Sequence, residues 1–300
     1  MKMPVLRASF RAMASDNEVQ VFARDPAIAR RAADAAIADV LRIEAKYSRY
    51  LDASVTTRIN RAAGEASVPI DAETRALLDY AQRCHELSGG LFDITAGVLR
   101  RAWDFRKKPP QLPDARALAA ARALIGWKSV ERSDASVRLP RRGMEIDFGG
   151  IGKEYAADRA ATILQDEGVG HALVNLAGDV RAVGTQPDGV PWRVGIRHPR
   201  REGGVIAYVE LAGGAVATSG DYERYFDLDG RRYCHILDPR TGMPVAHWQS
   251  VSVVAPLCVV AGSCATIAML LEGRGEAFLA AQGVHYLAVG PDGTRAGDAA

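Results

Sequence analysis

The stretch MEIDFGGIGKEYAADRAATIL, residues 144–164, runs from an apolar and acidic segment into a glycine-rich bend and then into an alanine-rich segment. Glycines at 149, 150 and 152 let backbone amides approach a ligand closely, and some are expected to take positive φ at no steric cost. A helix beginning near Gly152 would aim its free amides and its positive dipole end at an anion. Lys153 falls in the first turn, where a cation opposes that dipole, and a bound anion would explain the placement. The spacing is not G-x-x-x-x-G-K-[ST], because Glu154 follows the lysine. It is not G-x-G-x-x-G, because Tyr155 holds the last position. Two readings stand side by side: a phosphate cradle, or a tight strand-to-helix turn with a surface lysine.

Outward from this stretch the chain alternates between helices and runs of strands. Glu18–Arg24 alternates like a strand. Asp25–Tyr47 is periodic and alanine-rich, with Asp25-Pro26 as a start signal. Residues 47–64 are polar, with a turn at Asp52. Asp71–Ser88 is a second helix, capped by Asp71 and stopped by Gly89-Gly90. A Pro-rich, linker-like segment covers 107–114, and Asp114–Leu124 is a short helix. On the C-terminal side, HALVNLAGDVRAVG reads as strand, Gly turn, strand. WRVGIRHP, VIAYVELAGGAVATSG and HYLAVG add strands, and Asp229-Gly230 marks a hairpin. Strands that mostly follow one another, with helices outside them, predict an α+β fold rather than a doubly wound sheet.

Three hundred residues suit one large domain, or two intimately packed lobes. A net charge of +2, with no dense Lys/Arg stripe, argues against nucleic-acid binding. The cysteines (84, 234, 258 and 264) form no C-x-x-C and read as reduced apolar residues rather than a disulfide or zinc framework. The N-terminal stretch has no apolar leader and no lipobox-like Leu-x-x-Cys. The most apolar tract, Val251 to Leu271, is interrupted by Pro256, Gly262 and Ser263. It reads as strand, turn and helix rather than as a membrane span. A cytoplasmic location is the expectation for the chain as given.

A second cluster lies in AVATSGDYERYFDLDGRRYCHILDPRTGMP, residues 215–244, which gathers Thr218, Ser219, Asp221, Tyr222, His235, Asp238 and Arg240. Hydroxyls and an acid at the end of an apolar run suggest a binding loop. Strand alternation would put Tyr233 and His235 on one side. A histidine suits proton transfer near neutrality, although it can equally brace a hairpin. A Ser-His-Asp hydrolase is a further possibility, without the G-x-S-x-G elbow such enzymes carry.

Taken together, these blocks resemble the FAD:protein FMN transferase (ApbE) family across essentially the whole chain. YSRYLDASVTTRIN is similar to S-x-[YF]-x-x-x-S…N, and SGGLFDITAGVL to T-G-G-x-F-D-I-T-x-G-x-L. DFGGIGKEYAADRA is similar to D-L-G-G-I-[AG]-K-G-Y-A-x-D, and ALVNLAGDVRAVG to A-L-V-N-x-G-G-D-[LI]-x-x-x-G. ATSGDYERYFDLDGRRYCHILDPRTGMPV is nearly verbatim, and SVSVVAP follows it. The resemblance implies two packed α+β lobes with mixed or antiparallel sheets that bind FAD between them, with Mg²⁺ at the pyrophosphate. A Ser or Thr hydroxyl of an acceptor protein, usually a subunit of a redox complex, would attack the phosphorus nearest riboflavin, and AMP would leave. Family members are often exported. By the same resemblance, Met13, Tyr50, Leu91, Phe92, Asp93, Asp147, Lys153 and Ile236 match flavin-contact positions, with Thr218 and Ser219 in the binding loop. His235 matches the proton acceptor, with Lys153 beside it. Gly150, through its carbonyl, and Thr266 match metal ligands.

Two departures from the pattern matter. The family's A-D-A-[LS]-[AS]-T reads Ala261-Gly262-Ser263-Cys264-Ala265-Thr266 here, so the metal-binding Asp position holds Gly262. Ser263 offers a neutral oxygen one residue away. The N-terminal M-G-T reads Met13-Ala14-Ser15. Mg²⁺ usually takes at least one carboxylate, and Gly262→Asp is expected to raise Mg²⁺ affinity. Three readings follow: a transferase whose Mg²⁺ is held mostly by FAD and water; an FAD-binding flavin carrier with weak or no transfer; or a silent scaffold.

Overall fold

The computed structural model describes residues 3–299. In chain order the strands and helices are β1 (Val5–Ala12), β2 (Ser15–Phe22), α1 (Pro26–Tyr47), α2 (Val55–Arg61), β3 (Val68–Pro69), α3 (Ala72–Leu87), α4 (Ala115–Arg122), β4 (Glu131–Arg132), β5 (Ser136–Arg138), α5 (Gly152–Asp166), β6 (His171–Leu176), β7 (Asp179–Val183), β8 (Trp192–Arg197), β9 (Val205–Leu211), β10 (Gly214–Gly220), β11 (Tyr225–Leu228), β12 (Arg231–Cys234), β13 (Ser250–Ala255), α6 (Cys258–Leu271), α7 (Gly275–Gln282), β14 (His285–Val289) and β15 (Arg295–Gly297). A 3₁₀ helix at Ile94–Arg101 stands between α3 and α4.

An eight-stranded antiparallel sheet, in the order β1-β2-β6-β7-β10-β13-β14-β15, organises the chain. Its alternation sorts side chains to two faces. Val19, Val21, Val174, Ala215, Ala217, Val251 and Val253 face a core shared with α1, α5 and α6. Val180, Ala182, Val216 and Leu287 face the other way, under the β8–β9 hairpin through Trp192, Ile196, Val209 and Leu211. Residues between α1 and α5 carry α2, α3, the 3₁₀ helix, α4 and a small β3-β5-β4 sheet. The β11–β12 hairpin packs on that part through Trp103, Phe226 and Tyr233. The fold is α+β, as the strand runs predict.

Local signals explain the helices that matter. Asp25 accepts the Ala27 amide at 2.8 Å with Pro26 in the first turn, and Asp71 caps α3 through the Thr74 amide at 2.9 Å. α6 has no cap of its own. Asp158 on α5 supplies it, accepting the Cys258 and Val259 amides at 2.8 and 2.9 Å. By length and apolarity Cys258–Gln282 could cross a membrane. Its chain breaks at Glu272 (φ 51°), and α6 packs in the core against the sheet and α5.

Several sequence expectations need correction. The polar run 47–64 contains α2, capped by Ser54. A strand, β1, precedes the expected first one. Gly262 and Ser263 do not interrupt α6. Residues 144–148 form no strand. The Asn60 side chain stands in for a ladder partner, accepting from the Ile146 amide at 2.7 Å and donating to the Ile146 carbonyl at 3.0 Å.

Candidate active site

Asp147 opens the glycine bend. Its amide donates to the Ile94 carbonyl at 2.8 Å, its carboxylate accepts the Gly149 amide at 3.0 Å, and the Arg49 guanidinium pairs with its other oxygen. None of Gly149, Gly150 and Gly152 has positive φ, contrary to expectation. Closeness is what favours glycine here. A Cβ on Gly150 would sit 3.1 Å from the Phe92 ring, and one on Gly149 would sit 3.1 Å from Asp147 Oδ1. The bend therefore presents bare backbone over Phe92, with α5 beginning directly behind it.

Lys153 is not a free surface cation. Its Nζ lies 2.8 Å from Oδ2 of Asp179, the first residue of β7. Burial works against the lysine charge, but Asp179 and Glu154 outweigh it and hold the pKa above its ordinary value. Glu154 is 8% exposed, and its Oε2 has no hydrogen-bond partner. Burial first, and the Asp179 charge second, push the Glu154 carboxyl up to about 7 against the pull of Lys153. Asp179 is raised as well, by burial, with Lys153 opposing. Two buried carboxylates thus share one lysine.

Beside this group, Ser219 at the end of β10 and Thr266 on α6 share a hydrogen bond of 2.7 Å. Thr218 belongs to the opposite face and bonds Ser252 across the β10–β13 pair at 2.8 Å. Only Ser219 of this pair meets Thr266. Ser263 also points elsewhere, donating to the Val259 carbonyl at 2.7 Å and accepting from the Tyr80 hydroxyl at 3.1 Å.

His235 follows the last residue of β12, so the alternation argument for Tyr233 stops one residue short. Tyr233 packs in the aromatic cluster with Trp103 and Phe226. The His235 amide donates to the Arg224 carbonyl at 3.0 Å, and its Nδ1 is buried without a partner. Burial foremost, with the Arg224 and Lys153 charges, pushes its pKa down to about 4. The imidazole is neutral at neutral pH and able to accept a proton. Asp221 forms a two-pronged pair with Arg200 (2.6 Å each), and Asp238 pairs with Arg240. Ser219 is held by Thr266. No Ser-His-Asp chain exists among the described residues.

The remaining expected contacts divide by exposure. Met13 sits at the tip of the β1–β2 hairpin with φ 53°, and its amide donates to Glu44 at 2.6 Å. Tyr50 is 74% exposed, under the Arg49 guanidinium at 5.0 Å. Leu91, Phe92 and Ile236 are buried, and Phe92 underlies the bend. Asp93 is closed into the fold: it caps the 3₁₀ helix through Thr95 and accepts the Trp127 amide at 3.2 Å. Sequence reading missed Arg49 and Asp179. Arg49 could have been suspected as a cation next to Tyr50. Asp179 follows the Ala-Gly turn of the motif and needed a lysine to make it notable. Among the described residues no group of three or more His, Cys, Asp and Glu side chains is arranged to hold a metal. The oxygen donors of Glu154, Ser219 and Thr266, with the backbone of the bend, are hard ligands of the kind Mg²⁺ takes.

A profile described as the ApbE family matches residues 13–288. An FAD:protein FMN transferase of Klebsiella pneumoniae (strain 342) is 35% identical over 234 residues, 75% of this chain and 66% of that protein. The chain therefore spans just under two thirds of the length of that curated relative. An FAD:protein FMN transferase of Treponema pallidum is 34% identical over 295 residues, 91% of this chain and 81% of that protein. The crystal structure of the ApbE protein of Thermotoga maritima superposes with a TM-score of 0.88 at 34% identity, covering 98% of this chain and 97% of that one. The flavin transferase ApbE of Vibrio cholerae gives 0.88 at 27% identity, covering 99% and 97%.

Proposed function

The chain belongs to the ApbE family, and from that premise we propose that it transfers FMN from FAD to a Ser or Thr hydroxyl of an acceptor protein and releases AMP. FAD would lie along the bend, with its pyrophosphate against the Gly149–Gly152 backbone and the α5 N-terminus. Lys153, held by Asp179, supplies fixed positive charge there. The exposed Tyr50 and the half-buried Met13 offer surfaces to the flavin.

The chemistry is a displacement at phosphorus. The acceptor oxygen forms a bond to the phosphorus nearest riboflavin, and the bond from that phosphorus to the bridging oxygen breaks. The electron pair leaves with AMP. The hydroxyl proton passes to the neutral His235 imidazole and from there to water. Such transfers depend mostly on positioning and on stabilising charge. Mg²⁺, when bound by Thr266 and the Gly150 carbonyl, would neutralise charge on the pyrophosphate oxygens. The acceptor is proposed to be a subunit of a redox complex, as the family resemblance implies.

The observation that carries this reading is His235: a neutral base, its Nδ1 buried without a partner, within the field of Lys153. The flavin-carrier alternative rested on the missing acid at 262, and family membership together with this base favours the transferase. The test is to mix the protein with FAD, Mg²⁺ and a Thr-bearing acceptor peptide. A flavin complex with AMP release is expected. Flavin bound without AMP would leave a carrier, and no flavin bound would overturn both readings.

A further inference from the structure

The chain departs from the family pattern at two neighbouring points. Gly262 stands where the pattern has Asp, and Glu154 stands where K-G-Y has Gly. These two positions touch. A Cβ built on Gly262 would meet Glu154 Cγ and Oε1 at 2.6 Å and Cδ at 2.9 Å. No side chain fits at 262 while Glu154 keeps its place. In the native background Gly262→Asp therefore has to displace the Glu154 side chain, so the expected gain in Mg²⁺ affinity depends on where Glu154 goes.

The helices make the contact systematic. Asp158 on α5 caps α6 at Cys258, and one turn away Glu154 meets Gly262, so the helices run antiparallel in register. Continuing by one turn on each helix brings the Gly150 end of α5 toward Thr266. Charge points the same way. Asp158 is paired with Arg181 at 3.1 Å, but Glu154 and Asp179 have only Lys153 between them. Glu154 Oε2 is buried with no hydrogen-bond partner, a rare and costly state for a carboxylate. A purely structural glutamate leaves that oxygen unexplained.

We propose that Glu154 supplies, from α5, the carboxylate ligand for a divalent cation whose other protein ligands are Thr266 and the Gly150 carbonyl, and that Gly262 is the space this carboxylate occupies. The acid has moved from one helix to its neighbour, and the glycine has moved the other way. The proposal rests on the functional reading for the site's neighbour, the FAD diphosphate.

The probe is Mn²⁺, read as loss of the free-ion paramagnetic resonance signal, with ADP present as a diphosphate that cannot transfer flavin. Fold is followed by circular dichroism, and FAD binding is measured on matched samples without ADP. Glu154→Gln should raise the Mn²⁺ Kd by about tenfold or more while the protein stays folded. Gly262→Asp alone should also weaken Mn²⁺ binding. The double exchange, Glu154→Gly with Gly262→Asp, should return the Kd to within about threefold of wild type. An unchanged Kd in Glu154→Gln would overturn the proposal. So would a folded double variant as weak as Glu154→Gln, or a Glu154→Gln chain that cannot fold, since the carboxylate would then serve the fold. Wild-type protein that binds neither FAD nor Mn²⁺ would sink the functional reading itself. FAD binding with Mn²⁺ binding indifferent to residue 154 would sink only the ligand assignment.

Discussion

Asp93 and His235 sit in equally conspicuous motifs, yet the fold treats them oppositely. Both Asp93 oxygens are engaged, by Thr95 and by the Trp127 amide, within the loop that carries Leu91 and Phe92. His235 has a buried ring nitrogen that nothing satisfies, and Glu154 has a buried oxygen in the same condition. Groups with complete hydrogen bonding hold the scaffold in place. A group left incomplete beside the bend is one a ligand can complete, whereas His85, with neither ring nitrogen hydrogen-bonded, lies 3.9 Å from Asp93 within the scaffold. On the proposed reading, Asp93 shapes the scaffold under the site, and His235 is the group that accepts the acceptor's proton.

The largest expected effect separates them. His235→Ala should lower AMP release by about 10²–10⁴-fold, the usual contribution of a general base, with little change in melting temperature. A drop below about threefold would return His235 to the role of a hairpin brace. Its pH behaviour sharpens the point. With the imidazole pushed down to about 4, kcat/KM should hold steady as pH falls through 6.5 and decline only near 4. The unfolded chain takes up a proton on this histidine below about 6.5 that the native protein refuses, so His235 lowers stability as pH falls from there toward 4. His235→Asn should flatten that decline in urea titrations, and an unchanged slope would place the pH dependence elsewhere.

Asp93→Ala should behave the other way round. It removes three accepted hydrogen bonds, so a loss of about 2–3 kcal/mol in unfolding free energy is expected. Wild-type stability with abolished flavin binding would make Asp93 a direct ligand. Asp147→Asn is intermediate. Arg49 loses its charge partner beside the exposed Tyr50, so FAD affinity should fall by about tenfold, with stability falling by about 1 kcal/mol or less. The smallest effect lies at the hairpin tip. Met13 and Ala14 both have positive φ (53° and 60°), which costs a non-glycine residue energy. Ala14→Gly should stabilise the protein by about 1 kcal/mol, and a calorimetric scan showing a loss instead would contradict that strain.

Much of this was legible in the sequence wherever the signal was local. Asp25-Pro26, Asp71 and Gly89-Gly90 mark helix ends, and the structure puts the ends there. Asp229-Gly230 turns β11 into β12 with φ 50° and 74°. α2 escaped because seven residues rich in Val and Thr carry no amphipathic period, and only Ser54 announces it. The site was legible as a set of motifs but not as pairings. Arg49 meets Asp147 from 98 residues away, and Asp158 caps a helix 100 residues downstream. The contact between Glu154 and Gly262 needs both helices in place before either residue makes sense. Thr218 and Ser219 look equivalent in the sequence, and the pleat sends them to opposite faces.

The central claim is that a hydroxyl attacks FAD beside the glycine bend. Its most direct measurement pairs mass spectrometry of a Thr-bearing acceptor peptide with quantification of AMP, using the purified protein, FAD and Mg²⁺. The account predicts FMN ester-linked to that threonine and one AMP for each peptide modified, both lost in His235→Ala. AMP formed with no flavin on the peptide, or FAD held intact in the presence of acceptor and Mg²⁺, would contradict it.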